Sequence, residues 1–438
     1  MTLTAKNKGG LGLWMLTALV AGNIIGSGIF LLPASLAHYG SISILSWIFT
    51  GIGAIFIALV FAKLSILIPK TGGPYAYCRA GFGDFIGFQV AYNYWIALCV
   101  GNAAIVVALV GYLEPFWPAL HTNVLLSFFV KIAFVWIMAL INILGIRNVG
   151  NFQLITTILK LLPLLLISTI GLCYLNPHHF TEFNLTGQSN FTAFTGAATL
   201  TLWSFIGLES ATVPAEEAKN PRDIAKATIL GTSIAAIIYI LSTTAIMGLI
   251  KPSQLVHSNA PYAEAATLIF GKAGGLFIAI GALISCIGAL NGWTLLQGQI
   301  PMAAARDGLF PKFFAKESTR FGTPVNGITV SAIIISILLL LTVNSSLIEQ
   351  FTLIILLATL SSLIPYFFTA LAELMIFIKM RQEFNTKRFL GSTIIAILAT
   401  IYSFWAIVGS GEKIVFYGSL LFFSGVPVYV WMQWRTTK

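Results

Sequence analysis

The chain has 438 residues, 58% hydrophobic and 9% charged, and its 24 Lys and Arg outnumber its 14 Asp and Glu to give a net charge of +10. A soluble domain carries about 25% charged residues, so this is a polytopic membrane protein, with no stretch polar enough for a separate soluble domain. The basic excess does not point to nucleic acid, because Lys and Arg fall in alternate loops between apolar runs, as the positive-inside rule predicts.

In chain order, apolar segments of membrane length fall roughly at 11–37, 41–68, 84–114, 122–144, 151–175, 191–213, 227–250, 273–301, 325–343, 350–379, 390–409 and 414–434, about twelve spans. The first lacks a small-residue cleavage site and reads as a retained span. Basic residues such as Lys63, Lys70, Arg79, Arg147, Lys219, Arg222 and Arg306 crowd one set of loops. Only Lys251, Lys272 and Lys413 occupy the other. This bias predicts cytoplasmic termini and an even number of spans. Cys78, Cys99, Cys173 and Cys286 form no CxxC, so neither a disulfide framework nor a metal site is expected. The His178-His179 pair has no third ligand nearby and reads as a solvated loop.

Two runs are interrupted. The first contains Asn23-Ile24-Ile25-Gly26-Ser27-Gly28-Ile29-Phe30. Glycine costs a helix about 1 kcal/mol against alanine, and unpaired backbone in lipid costs several kcal/mol per group. Broken backbone at this depth must therefore face protein or a water-filled cavity. The free N–H groups of its second half would suit a carboxylate. A packing face for a neighbouring helix is the other reading. The sixth run contains Trp203-Ser204-Phe205-Ile206-Gly207-Leu208-Glu209-Ser210, again with a central glycine, and with an acid. Interruptions at corresponding places in two halves are the best sequence pointer to a transporter's binding site.

Charges inside spans narrow the reading further. Glu209 is expected to serve as a proton-linked gate or a hydrogen-bonding strut. Lys160, deep in the fifth run, would act as a fixed positive charge between helices in place of a bound Na⁺, or carry a proton. Lys131 is expected to snorkel, and Glu373 and Lys379 read as a rim pair. Trp203 and Trp293 lie well inside spans beside Gly207 and Gly292, either as core or as rings facing a substrate. No nucleophile–base pair or metal cluster appears among the spans, which argues against an enzyme.

Four stretches carry a resemblance: Gly26-Ser27-Gly28-Ile29-Phe30-Leu31-Leu32-Pro33, Gly72-Gly73-Pro74-Tyr75-Ala76-Tyr77, the segment from Trp203 to Ser210, and Gly292-Trp293-Thr294-Leu295-Leu296. Together they resemble the amino acid–polyamine–organocation superfamily. The nearest group is the bacterial basic amino acid/polyamine antiporters, especially the arginine/agmatine antiporters. The similarity extends nearly to Ile407-Val408-Gly409-Ser410-Gly411. It implies an all-α polytopic fold in a single domain over 1–438, with a five-plus-five inverted repeat (11–175 and 191–379), two additional helices (390–434), and the first and sixth helices broken.

The resemblance also implies roles. Ser27 and Gly28 would hold the substrate carboxylate, and the carbonyls of Ile24, Trp203 and Ile206 its amino group. Trp293 would stack on the side chain and Asn102 would hydrogen-bond its head. Tyr94, Glu209 and Tyr366 would form the inner gate, and Tyr75 matches a tyrosine linked with pH response. Leu98, Ile105 and Ala358 stand where arginine/agmatine antiporters place polar or sulfur groups, so the far end of the pocket is expected to be more apolar. Lys160 resembles the fifth-helix lysine that stands in for sodium in other superfamily transporters.

The expected activity is sodium-independent secondary transport of amino acids or their decarboxylated amines across a bacterial inner membrane, by exchange and alternating access. A proton-coupled symporter of neutral amino acids is the alternative, and an amino-acid sensor the reading from another class. The expected partners are a small amino acid or amine, the bilayer and, as one option, a second copy in a homodimer. Neither nucleic acid nor a cofactor is expected.

Overall fold

A computed structural model describes residues 10–114, 116–258, 260–343, 347–380 and 386–436, of which 347–359, 386–389 and 435–436 are described by backbone alone. Its helices are α1 Leu13–Ile24, α2 Leu32–Ala37, α3 Ile42–Leu67, α4 Pro74–Phe82, α5 Asp84–Leu113, α6 Ala119–Thr122, α7 Val124–Ile143 and α8 Ile146–Cys173. There follow α9 Asn190–Trp203, α10 Pro221–Leu249, α11 Pro252–Leu255, α12 Pro261–Arg306, α13 Val325–Leu341, α14 Leu347–Lys379, α15 Thr386–Gly409 and α16 Glu412–Thr436. Nine described helices are long and apolar enough to cross a membrane. The α1–α2 pair, α13, and α9 with the segment after it supply the remaining crossings.

Local sequence sets the boundaries. Asn220 caps α10 by accepting the Arg222 N–H at 3.0 Å, with Pro221 at the first helical position. Inside α12, Gly271 at φ 70° breaks the helix, so the piece over 261–270 lies apart from the crossing that follows. The start of α1 is tied to the segment after α9 by Leu11 N–H to Glu217 O at 2.8 Å and Lys219 N–H to Leu11 O at 3.0 Å.

α1 is buried continuously from Leu16 to Ile24, as a helix that is apolar all round must be. It packs against α8, α10 and α12. Small residues permit the approach: a Cβ on Gly231 of α10 would stand 2.6 Å from the Val20 Cβ. Two large hydrophobic cores result. One takes in α1, α3 and α10, with Ile24, Phe205, Tyr239 and Tyr366. The other takes in α5, α7, α12 and α13, with Tyr94, Ile206 and Trp293. The breaks in α1 and after α9 lie where these cores meet.

Two expectations about charges are corrected. Glu373 and Lys379 do not pair. Six residues along a helix turn about 240° away from each other, so Glu373 faces inward to Lys63 at 3.4 Å. Lys379 instead donates to the carbonyls of Ala80 at 3.4 Å and Gly81 at 3.1 Å. Lys131 does not snorkel; it is buried on α7 at 4% exposure.

Candidate substrate site between two broken helices

α1 ends at Ile24, with Ile25 N–H still reaching Ala21 O at 2.9 Å. The chain then leaves the helix, makes one 3-10 turn over Gly28–Phe30, and resumes as α2. The N–H groups of Ser27, Gly28 and Ile29 meet no backbone carbonyl among the described residues. α9 ends at Trp203, turns through Ile206 N–H to Trp203 O at 3.2 Å, and passes Gly207 at φ 110° before a 3-10 turn over Ser210–Thr212. That φ favours glycine. A Cβ there would also lie 3.2 Å from the backbone carbonyl carbon of Asn23. One break is thus seated directly on the other.

Hydrogen bonds fix the pair. The Tyr239 hydroxyl, from α10, donates to Ile24 O at 2.7 Å and lies 3.2 Å from Ser204 O, touching both broken ends. Asn23 Nδ2 donates to Ser210 Oγ at 2.8 Å, and Ser210 Oγ donates to Gly207 O at 2.5 Å. The Trp293 indole N–H donates to Asn23 O at 3.3 Å. The Trp293 ring lies against Gly101 of α5, where a Cβ would stand 2.7 Å from its Cζ3.

Between the breaks is a cavity of about 40 Å³, whose walls include Ser27, Gly28, Ile105, Ser204, Ile206 and Trp293. This is room for a few waters. Ile24 and Trp203 also line it, and Trp203 stays half-buried with Cδ1 3.6 Å from where a Gly28 Cβ would be. The Ile24 carbonyl already accepts two donors, Tyr239 OH and Gly26 N–H at 3.0 Å. Asn102 is buried one residue beyond the cavity-lining Gly101, and both its amide atoms lack a partner among the described residues. Leu98 stands off the wall, its carbonyl accepting Gln297 Nε2 at 3.0 Å. Ala358 lies on α14, within the stretch described by backbone alone.

The residues expected at the inner gate come together. Glu209, 1% exposed, accepts the Tyr94 hydroxyl on one carboxylate oxygen and the Tyr366 hydroxyl on the other. Tyr366 OH in turn accepts Gly207 N–H at 2.9 Å. Tyr75 stands elsewhere, on α4. It donates to Asp307 Oδ2 at 2.8 Å, an oxygen also held by Arg79 Nη1 at 2.6 Å. Burial first, and the Asp307 hydrogen bond second, push the Tyr75 hydroxyl well above its ordinary pKa.

Lys160, 0% exposed on α8, reaches the open end of α1. Its Nζ donates to Gly22 O at 2.7 Å, Ile25 O at 2.7 Å and Ser285 O at 3.4 Å. An ammonium has three N–H donors, and three carbonyls surround this one. Ser285 Oγ of α12 adds contacts to Ile25 O at 3.0 Å and Gly26 O at 3.1 Å. Sequence reasoning missed Tyr239, Ser285, Ser204 and Asp307. Tyr239 and Ser285 are isolated hydroxyls in apolar runs, too common to single out; Ser204 stands inside the break of the sixth run but carries no signal of a role there, and Asp307 is an ordinary loop acid.

The family model for amino acid permeases matches residues 11–432. Among curated relatives, the putrescine transporter PotE of Escherichia coli K12 is 34% identical across 98% of this chain and 97% of its own. The cadaverine/lysine antiporter of the same organism is 33% identical across 92% and 90%. A Bacillus subtilis protein bearing the provisional name arginine/ornithine antiporter is 35% identical across 98% of both chains. Two broken helices facing one cavity, and similarity along the whole chain, lead to one conclusion: the chain belongs to the amino acid permease family of the amino acid–polyamine–organocation superfamily.

Proposed function

We propose that the chain is a sodium-independent exchanger of amino acids or their decarboxylated amines, working by alternating access in a bacterial inner membrane. The observation that carries this is the seating of the two helix breaks on one cavity, at the meeting of two separately packed cores. A midplane site between a rocking unit and a fixed one is how such folds move a substrate. The cavity is too small for an amino acid with a long side chain, so the cores separate to admit one. In this reading the free N–H groups at Ser27 and Gly28 take the carboxylate, and acceptors at the end of α9 take the amino group. Trp293 stacks on the side chain, with Ile105, Asn102 and Ala358 around its head. Tyr94, Glu209 and Tyr366 seal the inner side.

Lys160 occupies the place of a coupling cation. The repeats span 11–175 and 191–379. Both termini lie in the cytoplasm: the basic bias of the loops supports this, and the tie of Leu11 to the basic segment at Lys219 supports it for the start of α1. A second copy, in a homodimer, is a further partner open to test by cross-linking in native membranes. Relatives named for arginine, ornithine, lysine, cadaverine and putrescine support a cationic cargo.

The test uses the purified full chain in proteoliposomes loaded with labelled arginine. External ornithine, lysine, putrescine, cadaverine or agmatine should drive efflux, and buffer alone should not. A second reading, proton-coupled uptake of neutral amino acids, is favoured by the apolar wall at Gly101, Ala104 and Ile105. It predicts leucine accumulation driven by an inward proton gradient with no internal substrate.

A further inference from the structure

Two buried side-chain oxygens on the cavity wall lack a hydrogen-bond partner among the described residues, Asn23 Oδ1 and Ser204 Oγ. Asn23 Oδ1 is packed against α12, where a Cβ on Gly292 would stand 1.9 Å from it, and its amide is anchored through Nδ2 to Ser210. Ser204 is 5% exposed, lines the cavity, and its Oγ has no hydrogen-bond partner among the described residues. A buried hydroxyl without a partner is costly, and an alanine would fill the same volume.

The acceptors near Ser204 Oγ define what it could serve. Ile24 O already takes two donors, Gly26 N–H and Tyr239 OH. Trp203 O takes Ile206 N–H, and Ser204 O lies within reach of Tyr239 OH. Ile206 O takes no backbone donor among the described residues. A substrate ammonium brings three N–H donors. It can find Ile206 O, the second lone pair of Trp203 O and Ser204 Oγ, but Ile24 O has no lone pair left. Ser204 also sits at the carbonyl end of α9, where the helix dipole favours a cation. The unbonded N–H groups of Ser27, Gly28 and Ile29, which suit the carboxylate, belong to the other break.

Resting on the transporter reading, we infer that the Ser204 hydroxyl is a substrate-binding group that accepts from the α-ammonium, in the place that the Ile24 carbonyl would otherwise fill. Ser204 thereby sets selectivity for α-amino acids over their deamino analogues. The requirement concerns the headgroup, so it is independent of side-chain charge.

The test compares wild type with Ser204→Ala in proteoliposomes and in detergent. Competition for bound label is measured with three pairs: lysine and ε-aminocaproate, arginine and δ-guanidinovalerate, leucine and isocaproate. Every parent that wild type binds should compete about 10-fold less well with Ser204→Ala, the loss of one bond to a charged group. The deamino partner should change by less than about 2-fold, and the exchange KM should rise at a kcat within about 2-fold of wild type. Melting temperatures should match, because no bond within the fold is lost. Equal losses for parent and deamino partner, no loss, or a fall in kcat at unchanged KM would each overturn the assignment. If wild type binds none of the three parents, the transporter reading falls and takes this assignment with it.

Discussion

The two helix breaks are built alike and held by opposite charges. Where α1 stops, orphan carbonyls face inward. A cation meets them: Lys160 Nζ lies 2.7 Å from Gly22 O and Ile25 O. Beyond the α9 break an acid sits just past the interruption. Glu209 is held by the Tyr94 and Tyr366 hydroxyls, and Tyr366 also takes the freed Gly207 N–H at 2.9 Å. The difference follows from helix ends, since C-termini expose carbonyls that want donors and N-termini expose N–H groups that want acceptors. The α1 brace holds a carbonyl end directly. The acid at α9 is held through two phenols, each donating to one carboxylate oxygen. In the function proposed above, the first serves as a fixed strut and the second as a releasable latch.

The strongest way to break that contrast is to remove the strut. Lys160→Ala leaves the carbonyls of Gly22 and Ile25 without their charged donor. Exchange should fall roughly 100-fold, equivalent to one or two charge-assisted bonds, while the protein still reaches the membrane. Wild-type exchange should be the same when Na⁺ is replaced by choline. Clear stimulation by Na⁺ would show that Lys160 does not occupy the cation's place.

The latch should be softer. Glu209→Gln offers one acceptor oxygen and an NH₂ donor to two hydroxyls that now both donate, so one tyrosine must turn around. Exchange should slow by about 10-fold, one charged hydrogen bond, and its pH dependence should flatten. A variant with the wild-type pH profile would move proton sensing away from this acid.

Between strut and latch lies the ring that touches neither charge. Trp293→Leu should weaken cationic substrates by roughly 0.5–2 kcal/mol in competition measurements, and leucine by less. Equal losses would mean that the ring supplies bulk only and would favour the neutral-substrate reading.

The smallest effect belongs to Tyr75, outside both breaks. Tyr75→Phe removes the hydrogen bond to Asp307, worth about 1 kcal/mol. Burial and Asp307 raise the hydroxyl's pKa, so in the folded chain it keeps its proton throughout the range below its ordinary value of 10.0. The unfolded chain keeps it there too, so the loss should be the same at every pH from about 5 to 9. A pH profile altered by Tyr75→Phe would make Tyr75, not Glu209, the pH-responsive group.

Much of this was legible before any fold was known. Apolar runs of membrane length, the charge bias of the loops and the two interrupted segments depend only on local chemistry, as does the oddity of Lys160 and Glu209 in lipid. Tyr94, Glu209 and Tyr366 are grouped by resemblance, and hydrogen bonds join them in the fold. The pairing of Glu373 with Lys379 failed because sequence nearness on a helix says little about facing, and Lys63 on α3 was the nearer partner.

By itself, then, the sequence determined where the chain crosses, where its helices must break and which charges need an explanation, because transfer into lipid penalises each residue where it stands. Only tertiary structure decided the partners. Lys160 meets α1 rather than an acid, Tyr239 fills the Ile24 carbonyl, and the Ser204 hydroxyl in the cavity meets no partner among the described residues. Hydrogen bonds span one ångström scale in space but up to hundreds of residues in sequence, so which donor reaches which carbonyl is fixed by packing alone.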